Sequence, residues 1–478
     1  MTIKTLFQQT KSRQFIVFSL IISCSFLFQC TSITQKITKD ADMAKPNIVL
    51  FYADDLGWMD VGIQGSKYYE TPNIDRIAKE GMRFTNAYAN AANCAPSRAC
   101  LMTGLYPPRH GIYTVGNAAR GKAENRQLVP VTNKTILDSN LLTLPAFLQN
   151  KGYQTAIAGK WHLSKDPTKY GFDANFGGFQ AGHPKSYFSP YKNPNLADGP
   201  EGEHLPARLA TEMSNWIKRQ KNEPFFAYFP FYSVHTPIQA RADLIEKYQN
   251  KPPEKYHNKP EYAAMIEAMD LAIGKILQTI EDLRLADNTI IIFTADNGAH
   301  GGQTLSRPLR GAKGMYYEGG IREPLMIKWT GKIKPNSVNE TPVIGNDLFP
   351  TIADILKDKP VQEQLDGVSI LPLLQRKPIA DRALYWHFPA YLEMYKKDRA
   401  FEDSQGKPYF RTTPVSVIRD GDWKLLEYFE SGELELYNLA TDIGERMNLV
   451  QRNPTKAREL HQKLKVWQGQ TNAFIPKK

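Results

Sequence analysis

Four apolar runs, each followed at once by polar residues, constrain the fold of this 478-residue chain more than any other feature. They span residues 47–53, 153–158, 224–234 and 289–295. A strand that is apolar at nearly every position is buried on both faces, which is typical of a parallel sheet covered by helices. Because ligands bind at the carboxyl edge of such sheets, we expect the residues that follow these runs to form a site.

Helix signals lie between these runs. Thr71 and Pro72 predict the capped start of a helix over residues 73–80. Thr143 and Gly152 bracket a second helix in the same way, and apolar residues at helical spacing predict a long helix over residues 261–284. Strands that alternate with helices indicate an α/β fold with a large, mostly parallel mixed sheet flanked by helices.

The pattern of predicted secondary structure changes near residue 381. Short strand-like runs separated by turns are followed by a helix predicted over residues 454–470. We therefore predict a main domain over residues 45–380 and a smaller antiparallel α+β subdomain over residues 381–478.

The N-terminus is typical of an exported protein. Cationic residues precede an apolar run over residues 15–28, which at 14 residues is shorter than the about 20 that a membrane-spanning helix needs. Cys24 follows Leu-Ile-Ile-Ser, which resembles a bacterial lipoprotein box, and Cys30 ends the run. We predict a signal or lipoprotein segment over residues 1–30, with Cys24 or Cys30 as lipidation candidates, and a polar tether over residues 31–44. The expected location is the periplasm or the outer membrane of a bacterium.

The composition restricts the possible partners. The net charge is +11, but no run of five Lys or Arg residues and no nucleic-acid motif occurs, so we expect no nucleic-acid partner. A mildly basic chain fits a polyanionic ligand such as an acidic or sulfated glycan. Four cysteines in this length exclude a disulfide-framework protein.

Carboxylates follow two of the apolar runs. Asp54 and Asp55 come directly after the first run, and Asp296 and Asn297 come directly after the last. Three carboxylates and an amide oxygen form an all-oxygen set that suits Ca²⁺, and less readily Mg²⁺, rather than zinc. The alternative, that each Asp only caps a helix or forms a turn, stays open at this point.

Basic residues are predicted at the same edge of the sheet. Lys160 and His162 follow the second run, His235 follows the third, and Lys313 lies in a Gly-Ala-Lys-Gly segment. Beside a divalent cation they would form a cationic pocket for a tetrahedral anion, which indicates metal-assisted chemistry on phosphate or sulfate esters. The residues alone do not separate sulfur from phosphorus.

Residues 94–104 read Cys-Ala-Pro-Ser-Arg-Ala-Cys-Leu-Met-Thr-Gly. This segment resembles the C-x-P-S-R-x-x-L-x-T-G signature of the type I, formylglycine-dependent sulfatases, and the likeness is strongest to bacterial polysaccharide sulfatases. The resemblance implies an alkaline-phosphatase-like fold. It also implies that Cys94 is oxidised to formylglycine by a formylglycine-generating enzyme or an anaerobic sulfatase-maturing enzyme.

The resemblance implies a role for each residue of the site. Cys94, as the hydrated aldehyde, is the nucleophile: one hydroxyl attacks the sulfur, and the other expels sulfate by re-forming the carbonyl. The implied calcium ligands are Asp54, Asp55, Asp296, Asn297 and the modified Cys94. The other implied catalytic residues are Arg98, Lys160, His162, His235 and Lys313. Arg98 holds the hydrate, the two lysines bind the sulfate, His162 contacts the formylglycine hydroxyl, and His235 lies near the leaving oxygen.

The substrate implied by the resemblance is a sulfated polysaccharide or its oligosaccharides, either algal, such as ulvan or carrageenan, or a glycosaminoglycan. Long loops rich in Pro, Gly, Tyr and His are predicted at residues 180–210 and 385–414. We predict His300, Arg310 and His387 as substrate-binding residues, because they lie near the catalytic motifs or in such a loop. Two other functions stay open: a phosphonate monoester or phosphodiester hydrolase of the same superfamily, and a catalytically silent protein that binds sulfated glycans.

Overall fold

A computed structural model describes residues 45–358, 365–394, 403 and 409–478. The predicted signal segment, Cys24, Cys30 and the tether lie outside the described residues, so these predictions stay untested. Among the described residues, no helix combines the length and the apolar character that crossing a membrane requires.

The described strands and helices alternate along most of the chain. The strands are β1 (Asn47–Ala53), β2 (Met82–Tyr88), β3 (Gln154–Ala158), β4 (Ala174–Phe176), β5 (Phe225–Pro230), β6 (Thr289–Ala295), β7 (Arg322–Trp329), β8 (Ser337–Asn339), β9 (Val343–Ile344), β10 (Ala383–Phe388), β11 (Leu392–Glu393), β12 (Phe410–Thr412), β13 (Val415–Asp420), β14 (Trp423–Tyr428) and β15 (Leu434–Asn438). The helices are α1 (Pro72–Lys79), α2 (Cys94–Thr103), α3 (Pro107–His110), α4 (Leu144–Asn150), α5 (Leu205–Arg219), α6 (Ala242–Gln249), α7 (Pro260–Asp282), α8 (Glu318–Ile321), α9 (Leu348–Ile355), α10 (Leu371–Leu374) and α11 (Pro454–Gln470). Short 3₁₀ turns lie at Gly62–Gln64, Ala123–Asn125, Pro167–Tyr170, Ala286–Asn288 and Gly345–Asp347.

The larger sheet is mixed and mostly parallel, as predicted. Its strand order is β4-β3-β5-β1-β6-β7-β2-β8, with β9 also paired to β2. The five strands from β4 to β6 run parallel, whereas β7 is antiparallel to both β6 and β2. The carboxyl ends of β1, β3, β5 and β6 therefore meet at one edge.

Burial on both faces explains why the apolar runs form the centre of this sheet. Every residue of β1, β5 and β6 is buried. Phe51 packs with α1, α5 and α7 on one face, and its neighbour Leu50 packs with α2, α4 and α9 on the other. Each such side chain contributes about 1.5–3 kcal/mol to folding. The third run forms a shorter strand than predicted, because after Pro230 the chain leaves the ladder and bonds to the turn that follows β1.

A second, antiparallel sheet follows, in the order β10-β13-β14-β15, with β11 and β12 paired separately. Helix α11 packs on this sheet through Leu460, Leu464 and Trp467. The predicted loop over residues 385–414 is wrong at its ends, since strands β10 and β12 lie there. Residues 45–478 form one compact unit, so the boundary at residue 380 stays a prediction.

Candidate active site

The carboxylates that follow β1 and β6 lie side by side. Ala53 is paired with Ala295 in the parallel ladder, so the next residues of both strands reach the same edge. The backbone N–H of Asp55 donates to Asp296 Oδ1 at 3.2 Å, and Asn297 Nδ2 donates to Asp55 Oδ1 at 2.8 Å. Asp55 has φ 61°, in the left-handed region, which turns the chain sharply after Asp54. The predicted oxygen cluster is therefore present.

Cys94 opens helix α2 at the centre of this cluster. Its thiol donates to Asp54 Oδ1 at 3.3 Å and to Asp55 Oδ1 at 3.7 Å. The candidate ligand atoms of Asp54, Asp55, Cys94 and Asp296 all lie within 4.8 Å of one another. The N-terminal end of α2 adds its positive dipole at the same point.

The donor set fits a hard divalent cation. Asn297 Oδ1 is buried and accepts no hydrogen bond from any residue that the structure describes. A buried amide oxygen without a partner costs free energy, which a cation at this position would recover. Together with the carboxylates of Asp54, Asp55 and Asp296 it forms the oxygen-rich environment that Ca²⁺ prefers.

Two buried cations hold the carboxylates from one side. The Nε and Nη2 atoms of Arg98 donate to Asp296 Oδ2 at 3.0 and 2.6 Å, and Lys160 Nζ lies 2.5 Å from Asp54 Oδ2. Lys160 reaches this position because the residue before it is glycine. Gly159 has φ 121°, and a Cβ there would lie 1.9 Å from the carbonyl oxygen of Pro230.

Lys313 completes the pocket from the loop after β6. Its Nζ lies 2.7 Å from Asp55 Oδ2 and 3.4 Å from Cys94 Sγ. Its own backbone N–H donates to Ala299 O at 2.9 Å, which ties this loop to the segment that carries Asn297. The predicted second sulfate-binding lysine therefore lies next to position 94.

The buried charges set the protonation states of the pocket. Burial opposes the charge of Asp55, but the neighbouring basic groups, of which Lys313 contributes most, together outweigh it and hold the pKa of this carboxyl well below its usual range. Burial and the charge of Asp54 raise the pKa of Asp296 to about 6. Burial, followed by the charges of Asp296 and Asp54, raises the pKa of the Cys94 thiol well above its usual value. Since the thiolate is the nucleophilic form, this environment makes the unmodified Cys94 thiol a poor nucleophile.

Two histidines border the pocket and are neutral. Burial, followed by the charge of Lys160, lowers the pKa of His162 well below its usual value. Burial and Lys313 lower the pKa of His235 to about 3. His235 Nδ1 lies 2.8 Å from Thr236 O, which assigns the proton to Nδ1, and its Nε2 lies 3.7 Å from Asp55 Oδ2.

The three predicted substrate-binding residues differ in their surroundings. His300 is partly buried on the loop after Asn297 and is one of the basic groups that lower the pKa of Asp55. Arg310 donates to Tyr437 OH and to the Glu445 and Asp403 carbonyl oxygens.

His387 is buried, and its ring nitrogens lie 2.6 Å from Ser416 Oγ and 3.0 Å from Phe474 O. A substrate role for these residues stays a prediction, and the contacts of Arg310 and His387 give it no support.

Two residues that position the candidate metal site were not predicted. Tyr262 OH, on α7, donates to the Asp55 carbonyl oxygen at 3.3 Å and to Asp60 Oδ2 at 3.0 Å. Asp60 also accepts the backbone N–H of Gly57 at 2.9 Å, so it braces the turn that carries Asp55. No sequence signal connects Tyr262 to this turn, because the two are about 200 residues apart.

A further feature beside His235 lies in the loop over residues 180–210. The ring of His183 is parallel to that of His235, with centroids 6.0 Å apart. A Cβ on the adjacent Gly182 would lie 2.7 Å from the His162 ring, so only glycine permits this approach. The Gly-His-Pro segment of this long Pro- and Gly-rich loop therefore lies close to both histidines of the pocket.

Comparison with known proteins agrees with this geometry. Residues 46–358 match the family described as Sulfatase, and residues 312–470 match N-sulphoglucosamine sulphohydrolase, C-terminal. A sulfatase of Formosa agariphila is 34% identical, over 95% of this chain and 94% of that protein. The human N-acetylgalactosamine-6-sulfatase is 35% identical, over 72% of this chain and 68% of that enzyme.

A solved structure is also similar. Ps i-CgsB in complex with k-i-k-neocarrahexaose superposes with a TM-score of 0.73 at 29% identity, over 88% of this chain and 92% of that one. The family match covers more than half of the chain, and the site residues occupy one pocket at the carboxyl edge of the sheet. This protein therefore belongs to the sulfatase family and is a sulfuric ester hydrolase.

Proposed function

We propose that this enzyme hydrolyses sulfate esters of a sulfated polysaccharide or its oligosaccharides, with a formylglycine made from Cys94 and a bound Ca²⁺. One observation carries the proposal: Cys94 Sγ lies between the carboxylates of Asp54 and Asp55 and the ammonium of Lys313. The sulfated-glycan substrate is supported by two similar proteins, of which one is an N-acetylgalactosamine-6-sulfatase and the other holds a neocarrahexaose.

The environment of Cys94 favours conversion of the side chain over use of the thiol. A buried thiol among carboxylates stays protonated and is a poor nucleophile. An aldehyde hydrate at this position offers an oxygen nucleophile that Lys313 and the dipole of α2 can polarise. We therefore expect a formylglycine-generating or anaerobic sulfatase-maturing enzyme as a partner.

The chain supplies positive charge around the position of the ester. Lys160 and Lys313 are placed to balance charge on the sulfuryl oxygens. Arg98 is fixed by Asp296 and by the Lys160 carbonyl oxygen, and its proposed role is to offset the charge that develops at position 94. A bound Ca²⁺, held by Asp54, Asp55, Asp296 and Asn297, would supply further positive charge for the nucleophile and the sulfate.

His235 is the proposed proton donor to the departing sugar oxygen. In the resting pocket the ring is neutral, so it must take up a proton before it can act as an acid. An entering anionic ester raises the pKa of a nearby histidine and favours this uptake. His162 is the proposed base for the step that releases sulfate, since its Nδ1 is buried and has no hydrogen-bond partner within the described part of the chain.

The test compares two cysteines of the same helix. Cys94→Ala is expected to abolish turnover of an aryl sulfate and of sulfated oligosaccharides. Cys100→Ala, in which a buried thiol 3.2 Å from His110 Nε2 is removed, is expected to retain it. Mass spectrometry of the peptide that contains residue 94 should reveal the aldehyde after co-expression with a maturation enzyme.

Two results would overturn the proposal. Turnover of a phosphodiester or phosphonate ester that exceeds turnover of every sulfate ester would favour the phosphonate hydrolase alternative. A residue 94 that stays a thiol beside a competent maturation enzyme, in a protein that binds sulfated glycans, would favour the silent binding protein.

We also propose that the enzyme is an exported lipoprotein of the periplasm or outer membrane. The support is the apolar run and the lipoprotein-like box in residues 1–30. Labelling with a fatty acid and membrane fractionation of Cys24→Ala and Cys30→Ala variants test it. The fatty-acid label should be lost from one of the two variants and retained by the other. A wild-type protein that takes up no label would refute the proposed lipid anchor.

A further inference from the structure

The segment around α11 concentrates the positive charge of the folded chain. Residues 454–478 contain six Lys and Arg residues and one Glu, whereas the whole 478-residue chain has a net charge of +11. Asp420 pairs with Lys463, and Glu427 pairs with Lys465. Lys477 and Lys478 are exposed and form no ion pair with any residue that the structure describes. An excess of positive charge therefore faces the solvent here.

A groove lies within this basic segment. Its volume is about 590 Å³, and its lining includes Lys465, Gln468, Asn472, Phe474 and Lys477. The Phe474 side chain is 55% exposed, which is uncommon for a large aromatic residue. The backbone N–H of Val129 donates to the Lys477 carbonyl oxygen at 2.7 Å, and the Phe474 carbonyl oxygen lies 3.0 Å from His387 Nε2. These two hydrogen bonds hold the segment that carries Phe474 and Lys477 against Val129 and His387.

The combination of groups selects one kind of ligand. An exposed aromatic face can stack on a sugar ring, the amide of Asn472 can bond hydroxyl groups, and the ammonium groups of Lys477 and Lys478 attract sulfates. An anionic membrane surface would also bind lysines and an exposed aromatic residue, but it does not require a groove. We propose that this groove is an auxiliary binding site for the sulfated glycan, separate from the catalytic pocket.

This inference rests on the proposed substrate class and extends it. A polymer is longer than the catalytic pocket, so a second site on the same enzyme keeps the chain close while single esters are cleaved. The groove therefore acts on polymers and contributes nothing to the hydrolysis of a small aryl sulfate.

The experiment measures binding and turnover separately. Binding is measured on the full-length Cys94→Ala protein, with iota-carrageenan and chondroitin sulfate as probes and their desulfated forms beside them. Lys477→Ala with Lys478→Ala, and Phe474→Ala, are each expected to weaken binding about fivefold. Lys218→Ala with Lys221→Ala, which removes two exposed lysines at the end of α5, is the matched control and should change nothing.

Turnover distinguishes this inference from the proposed function. In the matured enzyme the groove variants should retain aryl sulfate turnover and melting temperature but lose kcat/KM on the polymer. Unchanged polymer binding in the groove variants, or equally tight binding of desulfated polymer, would overturn the inference. It would also be overturned if the variants lost binding to phosphatidylglycerol vesicles while binding the polymer as before.

A matured enzyme without sulfate ester turnover would refute the proposed function. If the groove variants still lost polymer binding in that case, the groove assignment would stand.

Discussion

Asp296→Asn tests the assignment of the metal site with the smallest change of shape. Asp296 Oδ2 accepts two hydrogen bonds from Arg98, at 3.0 and 2.6 Å, and its Oδ1 accepts the backbone N–H of Asp55. An asparagine occupies the same space and keeps one acceptor oxygen. The substitution therefore removes the charge that a cation needs and leaves the packing nearly intact.

The expected effect on stability follows from linkage. Calcium at 100 times its Kd adds about 2.7 kcal/mol to the free energy of unfolding. With an unfolding entropy of roughly 2.1 cal/mol/K per residue over about 430 residues, this corresponds to a rise of about 3 °C in Tm. The wild-type protein should show this rise, and Asp296→Asn should show less than about 1 °C under the same conditions.

Turnover and a control complete the test. Loss of a group that organises charge around the reacting oxygen costs about 10²–10³ in rate, so the variant should lose at least this factor. Asp270→Asn is the control. Asp270, on α7, is also a buried carboxylate, but it accepts hydrogen bonds from the backbone N–H groups of Asn73 and Ile74 at the start of α1. It should lower Tm but keep the calcium response. An Asp296→Asn enzyme with a full calcium response and normal turnover would refute the assignment.

Further substitutions test other parts of the structure. Burial and the charge of Glu318 raise the pKa of Glu445 from its usual value of 4.5 to about 7. Between these two pH values the folded chain holds a proton that the unfolded chain releases. The free energy of unfolding therefore falls as the pH rises through this range. Glu445→Gln should remove this slope in unfolding measured between about pH 5 and pH 7. Gly159→Ala should cost on the order of 2 kcal/mol or more in unfolding and should reduce turnover, because its Cβ meets Pro230 O and displaces Lys160. His235→Gln should slow hydrolysis of sugar sulfates by about 10²–10⁴ but that of 4-nitrophenyl sulfate far less, since nitrophenolate leaves without a proton. Equal losses on both substrates would exclude proton donation by this histidine.

Much of the fold was predictable because its centre has an unambiguous pattern. Strands β1 and β6 begin and end at the predicted residues, since every position in them is apolar or buried in the sheet. Asp54 and Asp296 could be placed together for the same reason, because adjacent parallel strands end at one edge. The position of Cys94 came from the motif alone, since nothing in the periodicity of α2 points to the carboxylates.

The contacts of His387 and Arg310 could not be predicted from the sequence. His387 was predicted in a loop, but Leu384, Trp386 and Phe388 around it are core residues of the second sheet, and the strand buries the histidine with them. Arg310 is a residue type that often binds anionic ligands, yet its guanidinium lies 3.8 Å from the centre of the Tyr317 ring and donates to Tyr437 OH. Both contacts join segments far apart in sequence, which local patterns do not encode.

The balance of buried charge explains why the site depends on more than the eleven-residue motif. Three buried carboxylates, Asp54, Asp55 and Asp296, face three cations, Arg98, Lys160 and Lys313, and each carboxylate contacts at least one cation. Removing one partner from a buried ion pair leaves an uncompensated charge, which is more costly than the pair itself. The motif supplies only Cys94 and Arg98, and the remaining charges come from the ends of β1, β3 and β6 and from the loop after β6. A chain that had the motif without these strand ends could not hold Arg98 in its buried position, so the sheet edge and the motif specify the site together.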